Sequence, residues 1–365
     1  MNTETIFPRL DPLLNPRSIA VVGASENRGP GRQVIENLRQ LGFSGGLYPV
    51  NPKYETVLGL RCYPSLTALR EGGISPDLAA IVLGRDAIIP TLKEGAGAGI
   101  KAAWAFASGF GEAGDEGKNL QRELLRVCRE NNILFCGPNC VGFLNPTAGA
   151  GAYSAPAPRT ITPGPVGIVA QSGYLCIALA NSGRQIGIST LCSTGNEAVL
   201  DAADYIAHLV TDPATRVIIA FIEQFRHPEK LAAAARMAEE KGKPVIVLKV
   251  GRSELARSAT ADHTGALAGA DDVQDALCRK LGIIRVDDLE ELLEAAELFS
   301  KTTDTPPRGN RVFGLTLSGG IISLLGDLGE KLNIRLPVWS EDGKQKLAPH
   351  LPPYAGISNP LDAWG

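Results

Sequence analysis

Ser18-Ile-Ala-Val-Val-Gly-Ala-Ser25 is an apolar run of strand length that stops on a glycine turn, and Gly29-Pro-Gly31 then opens a helical pattern. The same kind of run returns at GLYPVNP (46–52), LAAIVL (78–83), KAAWAFA (101–107) and ILFCGPN (133–139), with amphipathic stretches between most of them. Runs without hydrophobic alternation belong to strands covered on both faces by crossover helices. The pattern predicts an α/β fold with a doubly wound parallel sheet over residues 10–145, binding its ligand at the carboxyl ends of the strands.

Working outward, NPTAGAGAYSAPAPRTITPGP (145–165) has no period and reads as a linker. A second alternation follows: VGIVA (166–170), ISTLC (188–192), RVIIAFIE (216–223), PVIVLKV (244–250) and IIRV (283–286), with helices such as 228–241 and 287–300 between strands. This predicts a second parallel α/β domain over 160–301. TTDTPPRGN (302–310) reads as another linker, and VFGLTLSGG (312–320) starts a third unit over 310–365. AQSGYLCIALANSGRQIGI (170–188) and LSGGIISLLGDLGEKLNI (317–334) share a strand, a Ser-Gly pair, a long helix and a closing isoleucine, with Ser172 and Ser318 146 residues apart. They read as two related flavodoxin-like domains. The later one is expected to be incomplete, because only 29 residues follow Leu336.

The composition, 44% hydrophobic and 21% charged, is that of a globular chain, and no uncharged run reaches the ~20 residues of a membrane span. A net charge of −3 gives no broad basic field for nucleic acid. The seven cysteines show no CxxC pair, so neither a zinc site nor a disulfide framework is indicated, and no metal ligands are assigned. The first residues, MNTETIFPRLDPLLNPRS, carry acids and prolines where a signal peptide has a basic start and an apolar run, so a cytoplasmic location is expected.

Within this frame, Gly23-Ala24-Ser25 fits a phosphate turn, glycines letting backbone amides at a helix start approach an anion. No acidic residue closes the second strand in the NAD manner. Asn51 and Lys53 stand there instead, and Lys53 with Arg28 suits extra phosphates such as those of coenzyme A, although solvated surface charge is their plainer role. Asn139 sits at a strand's carboxyl end. Ser172-Gly173 opens a helix whose positive end faces whatever anion the second domain binds, a plain N-cap by Ser172 being the alternative. ATADHTGALAG (259–269) holds His263 among small residues, as a loop carrying one nucleophile would, or as a quiet surface loop would. Glu223 ends an apolar strand, where a buried carboxylate needs a partner such as a histidine N–H.

In order along residues 10–300, the Gly23 turn, Val50-Asn-Pro-Lys53, Cys136-Gly-Pro-Asn-Cys140, Gln171-Ser-Gly173, Ser193-Thr-Gly-Asn196, Phe221-Ile-Glu223 and Asp262-His-Thr-Gly-Ala-Leu-Ala-Gly269 resemble the ADP-forming acyl-CoA synthetases, relatives of the succinyl-CoA synthetase α subunit. The resemblance implies a Rossmann-like CoA-binding domain followed by flavodoxin-like ligase domains. It implies that His263 is phosphorylated, that Glu223, 40 residues earlier, holds its far nitrogen, and that Ser172 and Gly173 receive the phosphohistidine. Asp262 stands where a serine is more usual, and Glu197-Ala-Val follows Ser193-Thr-Gly-Asn196 where the family often varies. The implied reaction joins a small carboxylic acid and coenzyme A at the expense of ATP, giving acyl-CoA, ADP and phosphate through acyl phosphate and phosphohistidine. ATP and Mg²⁺ would enter through an ATP-grasp domain or β-type subunit that no segment of this chain resembles, within an oligomer. The competing reading is a non-catalytic CoA-binding module that regulates a fused partner such as a lysine acetyltransferase. The acid itself is not legible in the spacing of residues.

Overall fold

The computed structural model describes residues 6–256, 271–302, 305 and 307–364, so His263 and Asp262 lie outside the described residues. The chain divides into a unit ending at Lys301 and a smaller one from Thr302.

The first unit holds two parallel sheets. Strands β1 (Ser18–Val22), β2 (Gly46–Val50), β5 (Leu78–Ile81), β6 (Ala102–Ala105) and β7 (Leu134–Cys136) form a sheet ordered β2-β1-β5-β6-β7, with a small hairpin of β3 (Thr56–Val57) and β4 (Leu60–Arg61) between β2 and β5. The chain steps outward from β1 to β2 and returns to the other side of β1 at β5, so the carboxyl ends of β1 and β5 flank the point where strand order reverses. Leu78, Ala79, Ala80 and Ile81 have no exposed surface, as strands covered on both faces require.

Strands β8 (Phe143–Leu144), β9 (Pro163–Ala170), β10 (Ile188–Ser193), β11 (Val217–Ile222), β12 (Val245–Lys249) and β13 (Ile284–Val286) make the second sheet, ordered β13-β12-β11-β9-β10-β8. All neighbours run parallel except β8, which pairs antiparallel with β10. Here the order reverses between β9 and β11. Trp104, Cys136, Cys140 and Phe143 share one buried cluster with Val169, Cys192, Tyr205 and Ile206, so a common core joins the two sheets. All seven cysteines are buried free thiols.

The linker expected over 145–165 is instead a packed strap. Tyr153 is fully buried, and Asn37, buried in the helix Pro30–Gln40, donates to the carbonyls of Tyr153 (2.6 Å) and Ala155 (2.7 Å) and accepts from the Ala157 N–H (3.1 Å). Glycine lets the strap lie close to neighbouring backbone: a Cβ on Gly142 would lie 2.0 Å from the carbonyl of Ala152 in the strap. The long helix expected after Ser172 is also short. It runs Gly173–Ala180 and stops where the Asn181 side chain donates to the Ile177 carbonyl at 2.8 Å, with Gly183 beyond it at φ +72°.

In the smaller unit β14 (Leu315–Thr316) pairs in parallel with β15 (Leu361–Asp362), and the helices Gly319–Lys331 and Glu341–Leu347 lie between them in sequence. Asn359 organises this unit, donating to the carbonyls of Val312 and Pro337 and accepting from the Gly314 N–H.

Candidate functional site

The sequence places glycine where β1 ends, and the packing leaves no other choice. Gly23 has φ +93°, and a Cβ there would lie 2.6 Å from the Val82 carbonyl oxygen just past β5. Its N–H donates to Val50 O at 2.9 Å, tying the turn to the end of β2. Ala24 is buried, and its carbonyl accepts from Asn51 Nδ2 at 2.8 Å, while Asn51 Oδ1 accepts from the Lys53 N–H at 3.0 Å. The Ser25 hydroxyl accepts from the Asn27 N–H at 3.0 Å. The helix Pro30–Gln40 then starts without a side-chain cap, so its first amide groups have no partner from their own helix. Gly23, Ala24, Ser25 and Asn51 thus form one hydrogen-bonded turn, with Arg28 and Lys53 exposed beside it in sequence.

A cleft of about 730 Å³ opens at the carboxyl ends of both sheets. Pro30, Val82, Leu83 and Phe106 line it from the first sheet, and Gln171, Ser172, Gly173, Tyr174, Glu223 and Arg226 from the second. Asn139, at φ +59°, lines it between them; its Nδ2 donates to Asn196 Oδ1 at 3.3 Å, and Asn196 donates on to Glu112. Gly195 makes this seam possible, since a Cβ there would sit 2.3 Å from the Pro138 carbonyl. Ser172 caps its helix, its hydroxyl accepting from the Leu175 N–H at 3.3 Å, and Gly173 is the first helical residue. Of the residues singled out in the sequence, Asn139, Ser172, Gly173 and Glu223 therefore meet on one cleft, whereas Gly23, Ala24, Ser25, Arg28, Asn51 and Lys53 gather at the neighbouring turn.

Beneath the cleft lies a polar frame that the sequence did not reveal. Gln171 Oε1 accepts from the N–H of Glu223 (2.6 Å) and of Gln224 (2.9 Å), and its Nε2 donates to the Gln224 carbonyl (2.8 Å). Lys249, buried at the end of β12, donates from Nζ to the carbonyls of Glu223 (2.7 Å) and Val250 (2.6 Å). Burial, and next the nearby Arg285 guanidinium, lower its amine to about 8. Glu197 is buried at φ +54°; its Oε1 accepts from Thr194 Oγ1 (2.8 Å) and the Ala202 N–H (3.1 Å), and its Oε2 lies 3.6 Å from Arg226 Nε. Burial raises its carboxyl to about 7 against the lowering effect of Arg226. The signal that exposed Glu223, a polar residue closing an apolar strand, applies equally to Gln171 and Lys249.

Two family models match successive parts of the chain: the CoA binding domain over 17–146 and the succinyl-CoA ligase like flavodoxin domain over 163–299. The α subunit of an ADP-forming acetate–CoA ligase I from Pyrococcus furiosus is 34% identical over 360 residues, 98% of this chain and 77% of that subunit. The chain belongs to the ADP-forming acyl-CoA synthetases. A trans-feruloyl-CoA synthase from an unknown prokaryote is 36% identical, over 97% of this chain and 50% of that protein. A dinucleotide forming acetyl-coenzyme A synthetase 1 from Candidatus Korarchaeum cryptofilum, solved with phosphate and ADP, superposes with a TM-score of 0.86 at 32% identity, covering 98% of this chain and 76% of that one. The chain spans about half the length of several relatives it matches, among them the feruloyl-CoA synthase. In family terms the first sheet is the Rossmann-like CoA-binding part and the second the flavodoxin-like ligase part. No helix among the described residues is long and apolar enough to cross a membrane.

Proposed function

We propose that this chain is the CoA-binding and phosphohistidine-bearing part of an acid–CoA ligase that converts a carboxylic acid, coenzyme A and ATP to acyl-CoA, ADP and phosphate. The observation that carries this reading is the meeting of Asn139, Ser172, Gly173 and Glu223 on a single cleft at the carboxyl ends of two parallel sheets. The names of its relatives, an acetate–CoA ligase and a feruloyl-CoA synthase, support the reaction class and leave the acid open.

Coenzyme A fits the residues at the β1 turn. The helix at Pro30 presents uncapped amides beside a glycine turn into which no Cβ could intrude, and such an end attracts phosphate. Arg28 and Lys53 add positive charge on the solvent side, and the absence of an acid at Val50-Asn51 argues against NAD. From that turn Pro30, Leu83 and Phe106 offer an apolar path towards Asn139 and Ser172.

In this reading His263 accepts the phosphoryl group on one ring nitrogen. Glu223 takes the hydrogen bond of the other, fixing the tautomer and favouring the positive charge that develops during attack. Ser172 and the amide end of the Gly173 helix receive the phosphate. Passing the group to the acid gives acyl phosphate, and the thiol of coenzyme A then displaces phosphate to form the thioester. An ATP-grasp partner, as domain or subunit, binds ATP and Mg²⁺ and first charges the histidine.

Titration calorimetry of the chain against coenzyme A and against NAD tests the first half of this reading. Heat with coenzyme A and none with NAD is expected, and the reverse would reject it.

A further inference from the structure

We propose that Gln171 and Lys249 are positioning residues that hold Glu223 for its work from the two strands flanking it. The inference rests on the reading that Glu223 orients the reacting histidine. Glu223 is the first residue past β11, where the strand ladder ends, and β11 lies between β9 and β12. A residue in that position usually satisfies its backbone through water or loop contacts. Here side chains from both neighbours hold it. From beyond β9 the Gln171 carboxamide accepts the Glu223 N–H at 2.6 Å and is also bonded to the Gln224 backbone. From β12 the Lys249 ammonium donates to the Glu223 carbonyl at 2.7 Å.

Lys249 makes the arrangement more than a convenient fit. Its residue is 4% exposed, and burying an ammonium costs free energy that packing alone would not ask for. The charged and titratable groups around it are Arg285 from β13, Asp271 and Cys278 from the helix Asp271–Lys280, and Glu223 itself. Among the described residues it forms no ion pair with any of them, and it donates to the carbonyls of Glu223 and Val250. The protonated amine makes charge-assisted bonds to those carbonyls, and the neutral amine makes weaker ones. Its pKa, lowered by burial to about 8, brings that change into an accessible range. The hold on Glu223 is therefore strongest at neutral pH and loosens as pH rises through about 8.

The test uses the chain with its ATP-grasp partner and measures kcat and the KM for coenzyme A from pH 6.5 to 9 in wild type, Lys249→Met, Gln171→Leu and Glu223→Gln. Lys249→Met and Gln171→Leu are expected to lower kcat on the order of 10-fold at pH 7, with the KM for coenzyme A unchanged, the scale seen when a partner that orients a reacting group is lost. The ratio of wild-type to Lys249→Met rates should shrink between pH 7 and 9, and Lys249→Arg should recover part of the loss. If Lys249→Met melts below the assay temperature, Gln171→Asn, which keeps the carboxamide and shortens its reach, answers the same question. Wild-type rates in the Lys249 and Gln171 variants beside an impaired Glu223→Gln would overturn the inference while leaving the proposed reaction standing, and so would a loss equal at every pH. An unimpaired Glu223→Gln would instead reject the role of Glu223, and this inference with it.

Discussion

The Cα of Gly31 lies so close to the carbonyl of Gly23 that a methyl group placed on it would sit 2.1 Å from the oxygen. The helix start is thereby pressed against the β1 turn, and in the proposed reading this points its first amides at the phosphates of coenzyme A. Gly31→Ala must push the helix away. It should cost at least about 1–3 kcal/mol of stability, as overpacking of a dense site does. Calorimetry should show coenzyme A binding weakened more than 10-fold in protein that still folds, and a variant with unchanged affinity would separate the turn from the ligand.

Asn37 and Ala157 are joined across 120 residues by the bond that Asn37 Oδ1 accepts. With the carbonyls of Tyr153 and Ala155 on its Nδ2, this one buried carboxamide pins the strap to the helix Pro30–Gln40. Asn37→Leu would leave these groups unpaired in the interior, and denaturant unfolding should register a loss of about 2–4 kcal/mol. Coenzyme A affinity in the folded fraction should change little, because Asn37 is not among the residues that line the cleft, which the strap meets through the bonds of Ser154 to the Val141 carbonyl.

These two sites also show what was legible in the sequence. The longer strands were, since runs such as Leu78–Ile81 or Val217–Ile222 are unbroken and apolar and burial on both faces writes that pattern directly, whereas the two-residue strands Thr56–Val57, Leu60–Arg61, Phe143–Leu144 and Leu361–Asp362 left no such signal. The Gly23 turn, Asn139 and Ser172-Gly173 were legible because they end strands or begin helices. The strap was not, for Gly, Pro and Ala serve close packing as readily as flexibility and only the Asn37 partner decides between them. Gln171 and Lys249 were missed for a related reason: their work is a hydrogen bond to another strand's backbone, and strand order, not spacing along the chain, brings it about.

Glu197 gives a prediction in pH. Its pKa in the folded state, about 7, lies above the ordinary glutamate value of 4.5, chiefly through burial. Both states are protonated below about 4.5, and as pH rises through 7 the folded state must ionise a buried acid that the unfolded chain ionises freely. The stability linked to Glu197 is thus fully present at low pH and lost between about 4.5 and 7. Glu197→Gln does not titrate, so its stability relative to wild type should improve from pH 5 to pH 8 by up to about 3 kcal/mol, in proportion to the shift. Denaturant unfolding at the two pH values checks this, and an equal difference at both would mean that Arg226 keeps Glu197 ionised throughout.

The proposed transfer of a phosphoryl group to His263, with Glu223 as its orienting partner, can be followed by mass spectrometry. The chain and its ATP-grasp partner are incubated with ATP and Mg²⁺ and analysed by mass spectrometry under conditions that preserve acid-labile phosphate, for wild type, Glu223→Gln and His263→Asn. Phosphate is expected on the peptide containing His263 in wild type, with labelling slower in Glu223→Gln by about 10- to 100-fold, and none in His263→Asn with coenzyme A binding intact. Acid-labile phosphate that persists in His263→Asn would place the nucleophile elsewhere and contradict the proposed transfer.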